Sequence, residues 1–99
     1  MTKATKKVAT KKTLSPLRIG NNVLIRTVTH YLTGHIEEVG EHEIVLTTAA
    51  WIADTGRFST AIAHGEFNEI EPFIGPVAVG RGAIVDVTDW THPLPVTVK

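Results

Sequence analysis

Five histidines, ten carboxylates, two serines and no cysteine are the side chains from which this 99-residue chain could build a reactive site. A metal centre is the first chemistry they suggest, because imidazole and carboxylate are the usual nitrogen and oxygen ligands. The spacing does not favour one. His30 and His35 lie five residues apart in a strand-like stretch, where alternation points them to opposite faces. His42 falls in a turn, His64 near a helix end and His92 before a proline, with no HxH, HxxxH or HExxH pair among them. Glu37, Glu38, Glu41, Glu43, Glu66, Glu69 and Glu71 could pair in space, but acid–base work requires one of a pair desolvated in a cleft. Alternating strand positions and turns read instead as a solvated acidic rim. Neither Ser15 nor Ser59 sits in a GxSxG elbow. The expectation is a protein that is not an enzyme and uses no metal or cofactor.

The other candidate for chemistry is the glycine-flanked stretch VGRGAIVDVTDW, residues 79–90. Gly75, Gly80 and Gly82 give neither GxGxxG nor GxxxxGK followed by Ser or Thr. A dinucleotide fingerprint also needs a helix after the glycines, and here the β-branched run AIVDV follows. These glycines therefore read as the junction between two strands, with Arg81 projecting from the corner.

The elements that would position such residues are mostly strands. Ser15 to Asn22 is a turn-rich lead-in. VLIRTVTHYL, residues 23–32, is dense in β-branched and aromatic residues and places Leu24, Val28 and Leu32 on one alternate face. The strand pattern continues through Gly34 into HIEEV, turns at residues 40–43 and resumes as IVLTTAAWI. A glycine inside a strand marks a bend, a bulge or a close backbone approach. DTGRFSTAIAHGEF changes period: Asp54 or Thr55 can cap a helix, Phe58, Ala61 and Ile62 recur at helical spacing, and Gly65 stops it. NEIEPFIGPVAV is a strand broken by Pro72 and Pro76, and THPLPVTVK is extended. Four or five short strands, one helical insert and extended ends suggest a small, strongly bent antiparallel β-barrel of SH3-like or Sm-like kind.

The zero net charge is the sum of two unlike parts. Residues 1–12 hold Lys3, Lys6, Lys7, Lys11 and Lys12 and no acid, whereas residues 13–99 hold five bases against ten acids, a balance of −5. The division expected is a basic flexible arm over residues 1–14, a barrel over 15–92 and an extended tail over 93–99. The arm suits phosphates or the acidic surface of a neighbouring subunit. No apolar stretch follows its lysines, and no run approaches the roughly 20 residues of a membrane span, so a cytoplasmic or phage-associated protein with no membrane contact is expected.

Arg81-Gly82-Ala83-Ile84-Val85 resembles the second signature of the Sm-like family, in which an arginine–glycine pair sits between the last two strands. VLIRTVTHYLTGHIEEVGEHEIVLTTA is similar to the three opening strands of that family, with Gly34 where the second strand bends. The resemblance covers roughly residues 23–52 and 77–90, and the chain also looks similar to small uncharacterised proteins of bacterial and phage genomes. The family implies subunits joined edge to edge in a closed ring, and RNA contacts from an Asp and an Asn in the loop between the second and third strands. That loop here is Gly40-Glu41-His42-Glu43, which is anionic and repels phosphate. The segment from Ile52 to Pro76 is an insertion relative to a minimal member.

Large aromatic residues complete the reading. Phe58 and at least one tryptophan are expected in the core, which needs bulk to fill it. Trp90, beside the extended tail, is expected at a subunit interface with Trp51 and Leu94. The leading expectation is a structural protein that self-assembles into a homo-oligomeric ring or stacked array. The alternative is a nucleic-acid-binding module using the five arm lysines, Arg26, His42 and Arg81 on phosphates and bases.

Overall fold

The computed structural model describes residues 14–99. The lysine arm therefore lies outside the described residues. Six antiparallel strands carry the fold: β1 (Asn22–Thr27), β2 (Tyr31–Val39), β3 (Glu43–Asp54), β4 (Glu69–Pro72), β5 (Val77–Gly80) and β6 (Ile84–Asp89). One helix, α1 (Phe58–His64), lies between β3 and β4, and a 3-10 turn (Arg81–Ala83) joins β5 to β6. The sheet runs β4-β3-β2-β1-β6, and β5 pairs with the first half of β3 while β4 pairs with its second half. The fold is thus mostly β, a small open antiparallel sheet. No ladder joins β5 to β6 among the described residues.

The long apolar stretch after Asn22 is two strands, not one. Thr27 turns the chain: its amide and hydroxyl both donate to the His30 carbonyl (2.8 Å each), and the His30 amide donates back to that hydroxyl. Val28, expected on the face of Leu24 and Leu32, is accordingly at the exposed tip of a hairpin, and His30 leaves the strand altogether. Threonine and histidine do not announce a tight turn as Asn-Gly does, so alternation ran on across it.

Bulges interrupt the β2–β3, β3–β4 and β1–β6 pairings. Gly34 faces two residues of β3, Thr48 and Ala49, and Thr48 takes a left-handed φ of 49° to accommodate the extra residue. A Cβ on Gly34 would stand 3.1 Å from the Leu46 side chain, so the bend expected there is also a close approach. Further register shifts occur at Glu37 in β2, Ala53 in β3 and Val85 in β6. The result is a curled sheet with apolar residues on both faces. The inner face buries Val23, Ile25, Leu32, Ile36, Ile44, Leu46, Ala49 and Val79. The outer face buries Leu24, Ala50 and Ile52 beneath Ala61 of α1, Phe67, Ile70 and Trp90. Because both faces are covered, β1 reads as a continuous apolar run, VLI, and not as alternation.

The helix begins later than its polar residues suggested. Its N-cap position is Arg57, which makes no side-chain cap bond, while Asp54 accepts from the Gly56 amide (2.8 Å) in the preceding turn. Gly65 ends it with φ 71°, donating its N–H to the Ala61 carbonyl.

The aromatic assignment is reversed. Trp90 is 4% exposed, stacks on Phe67 with centroids 5.0 Å apart, and donates its indole N–H to the Pro93 carbonyl (3.2 Å). Phe58, expected inside, is 49% exposed. The reason is geometric: Trp90 follows β6 directly, where its amide donates to the Asn22 carbonyl and holds the ring against the outer face. The tail also folds back on its own chain. His92 reaches the Ile62 carbonyl (2.7 Å), Leu94 packs on the outer core, and Lys99 exchanges two backbone hydrogen bonds with Ile70 of β4.

Candidate functional site

The residues proposed for phosphate or subunit contact fall in two separate places. Arg81 stands at the corner after β5, as its flanking glycines suggested. Its guanidinium donates to the Gly40 carbonyl (2.7 Å) and its amide to the His42 carbonyl (3.0 Å), so it ties the 3-10 turn to the β2–β3 hairpin. His42 is exposed there, 3.8 Å from Glu41. Around this tip lie Glu37, Glu38, Glu41 and Glu43, and an arginine already engaged by a carbonyl adds little attraction for a polyanion against them.

Arg26 belongs to a different surface. It faces Asp86 across the β1–β6 ladder and donates to the same carboxylate oxygen, Oδ2, from Nε (3.1 Å) and from Nη2. The hydrogen bond and charge of Asp86 push the arginine pKa up from its ordinary value. Side-on pairing to one oxygen leaves Asp86 Oδ1 and Arg26 Nη1 without a hydrogen-bond partner among the described residues. The pair lines a groove of about 400 Å³ on the outer face, with Leu24 as floor and Tyr31, Phe58 and Thr88 as walls. A second groove of similar size adjoins it, sharing Arg26 and Tyr31 and reaching His30 and Trp51. Tyr31 and Phe58 lean together with centroids 6.1 Å apart, and His30 meets Trp51 edge-on at 6.2 Å. These aromatic side chains are held at the place where the cover of α1 over the outer face stops.

Sequence reasoning expected Phe58 in the core and named neither Tyr31 nor Asp86 as a site residue. With the hairpin at Val28–His30 recognised, Leu24 and Arg26 fall on the outer face, and β6 would be expected to supply their cross-strand partners.

The histidines are dispersed. His30 bonds Thr29 (2.7 Å), His35 bonds Asn22 (2.7 Å), His92 caps the helix end, and among the described residues no three His, Asp or Glu side chains are grouped to hold a metal ion. No described helix is long and apolar enough to cross a membrane.

Strand edges form the remaining candidate surface. The outer edge of β4 is closed by Lys99. Those of β5 and β6 carry no partner among the described residues. Val85, the bulged residue of β6, is 52% exposed on that edge. Of the residues expected at an interface, Trp51 is 44% exposed and accessible, while Trp90 and Leu94 are turned into their own chain. No protein-family model, no curated protein and no solved structure matches the chain.

Proposed function

We propose that this chain is a non-enzymatic assembly module, an open Sm-like or SH3-like barrel whose copies join strand edge to strand edge into a ring or stacked array. One observation carries the reading: the chain closes the edge of β4 with its own tail and leaves those of β5 and β6 unpaired. An exposed strand edge is a row of unmet backbone donors and acceptors, and pairing β6 of one copy with β5 of the next satisfies both in a head-to-tail contact. The 3-10 turn between those strands, the pairing of β6 with β1 and the bulges that curl the sheet support the barrel description. The acidic balance of the body against the five arm lysines supports an electrostatic contribution between copies.

Nucleic-acid binding through Arg26 and Arg81 has less support, since each arginine is held by a neighbour and the two line different surfaces.

Light scattering on the full-length protein at low and high salt tests the assembly. The expected result is a multi-copy particle that shrinks as salt rises, and that Val85→Lys converts to monomer with its circular dichroism unchanged. A monomer at every salt concentration, or a Val85→Lys particle of unaltered mass, overturns the edge-to-edge reading.

A further inference from the structure

We infer that the inner-facing side of β3 and β4 beyond Ala49, where Trp51 stands beside Glu69 and Glu71, is the docking face for the lysine arm of a neighbouring copy. The inference rests on the assembly reading above and names the surface that receives the arm.

This part of the sheet is covered on one side. The inner apolar cluster takes residues of β3 only as far as Ala49. From there the strand continues to Asp54 with β4 as its outer partner, and Ala61 of α1, Phe67 and Trp90 cover the side that carries Ala50 and Ile52. Trp51, between those two buried residues, points the other way and is 44% exposed. Glu71 is its direct partner in β4, and Glu69 lies two residues along on the same side, away from the buried Ile70. Opposed residues of antiparallel strands have Cβ atoms about 4.5–5.5 Å apart. One indole face and two exposed carboxylates therefore share a surface.

Charge says what fits there. Neither glutamate has a hydrogen bond or ion pair among the described residues. Three of the body's arginines are engaged elsewhere: Arg18 lies near Asp89, Arg26 is on Asp86, and Arg81 is on the Gly40 carbonyl. The concentrated positive charge of the chain is in residues 1–12, five lysines with no acid among them. An ammonium group set between a carboxylate and an indole gains an ion pair and a cation–π contact together, while its methylene stem covers the ring.

Topology says whose arm it is. The Asn21 side chain donates to the Pro16 carbonyl (2.8 Å) and to Asp89 of β6 (2.7 Å), so the chain before Pro16 leaves the body beside β6. β6 and β4 are opposite ends of the strand order, which puts a copy's own Glu69 and Glu71 across the whole sheet from its arm. In the proposed assembly β6 meets β5 of the next copy, and β5 and β4 lie one after the other along the same edge of β3. The arm of one copy thus arrives beside the Trp51 face of the next. Thirteen residues precede the described chain, a reach of up to about 43–47 Å. That matches the roughly 40 Å of the twelve-residue β3, along which the arm must pass.

The test uses full-length protein, unlabelled and nitrogen-15-labelled, mixed as dissociated copies at high salt and dialysed together to low salt. A carbodiimide then joins amines to carboxylates in direct contact, and peptide mass spectrometry reads the products. The expected products link arm lysines to Glu69 or Glu71 and include pairs with one labelled and one unlabelled partner. Acrylamide quenching supplies a second reading, since Trp51 is the accessible one of the two tryptophans. Replacing the five arm lysines by serine, or Glu69→Gln with Glu71→Gln, should raise the quenching slope at low salt to the wild-type value at high salt. A particle of full mass in which those cross-links are missing or join only like-labelled copies overturns this docking and leaves the assembly reading standing. So does a quenching slope that the glutamine substitutions leave unchanged. A monomer at every salt concentration overturns both.

Discussion

Trp90 separates a core from an interface in a way that one substitution can measure. Its ring is almost wholly buried, stacked on Phe67 at 5.0 Å and edge-on to His92 at 5.0 Å, with the indole N–H bound to Pro93. Trp90→Ala removes the largest side chain of the outer core and leaves a void between α1 and the sheet. Large-to-alanine changes at such sites cost about 3–5 kcal/mol. Against the about 5–15 kcal/mol that holds a domain of this kind together, that is about a fifth of the total or more. Trp90→Phe keeps most of the ring and loses the donor to Pro93, so it should cost less, with about 1 kcal/mol coming from that hydrogen bond. Urea denaturation followed by circular dichroism gives both values, and light scattering on the same samples gives the particle mass. The expected order is wild type, Trp90→Phe, then Trp90→Ala, with the midpoint falling in step. A Trp90→Ala protein within ~1 kcal/mol of wild type, yet reduced in mass, would refute the core assignment, because only an interface residue gives that combination.

Two smaller perturbations test neighbouring parts of the same packing. Thr33 is fully buried in β2 and its hydroxyl has no partner among the described residues, so Thr33→Val should be neutral or raise stability by about 1 kcal/mol in urea titration; a loss above ~1 kcal/mol would mean that the hydroxyl is bonded in solution. Gly65→Ala forces an L-residue to φ 71° and sets a Cβ 2.6 Å from the His92 ring. The backbone alone costs about 1–2 kcal/mol, and displacing His92 from the Ile62 carbonyl should speed hydrogen exchange at the Trp90 indole. Unchanged exchange there would dissociate the tail from the helix end.

Much of this architecture was legible in the residues, and the parts that were not share a physical cause. Gly34 announced a bend, Gly65 a helix stop, and Gly80 and Gly82 a strand junction, because glycine marks backbone geometry that other residues resist. The hairpin at Val28–His30 was illegible because its turn is held by the Thr27 side chain and not by glycine or asparagine. Missing that turn hid the outer face of β1, and with it the groove at Arg26, Tyr31 and Asp86. The exchange between Phe58 and Trp90 was illegible for another reason. Local pattern places both rings near apolar neighbours, and only the pairing of β6 with β1, some sixty residues apart in the chain, decides which one is laid over Phe67. Long-range pairing leaves no mark on local periodicity.

The way the two cores divide the chain explains why its candidate surfaces lie where they do. One apolar cluster drawn from β1, β2, β3 and β5 is buried on the inner face, and α1, Phe67, Trp90 and the tail cover the outer face. A sheet covered on both sides can offer a partner only its edges, its hairpin tips and the margin where a cover ends. At the β2–β3 tip the carboxylates and the Arg81 clasp leave a solvated, self-satisfied loop. At β4 the tail has taken the edge. What remains among the described residues includes the free edge of β5, the free edge of β6, and the margin of α1 where Phe58 and Tyr31 line a groove with the Arg26–Asp86 pair. β6 belongs to both: its backbone forms the edge, and Asp86 and Thr88 line the groove. A strand joined to the backbone of β6 would therefore lie directly beside that groove.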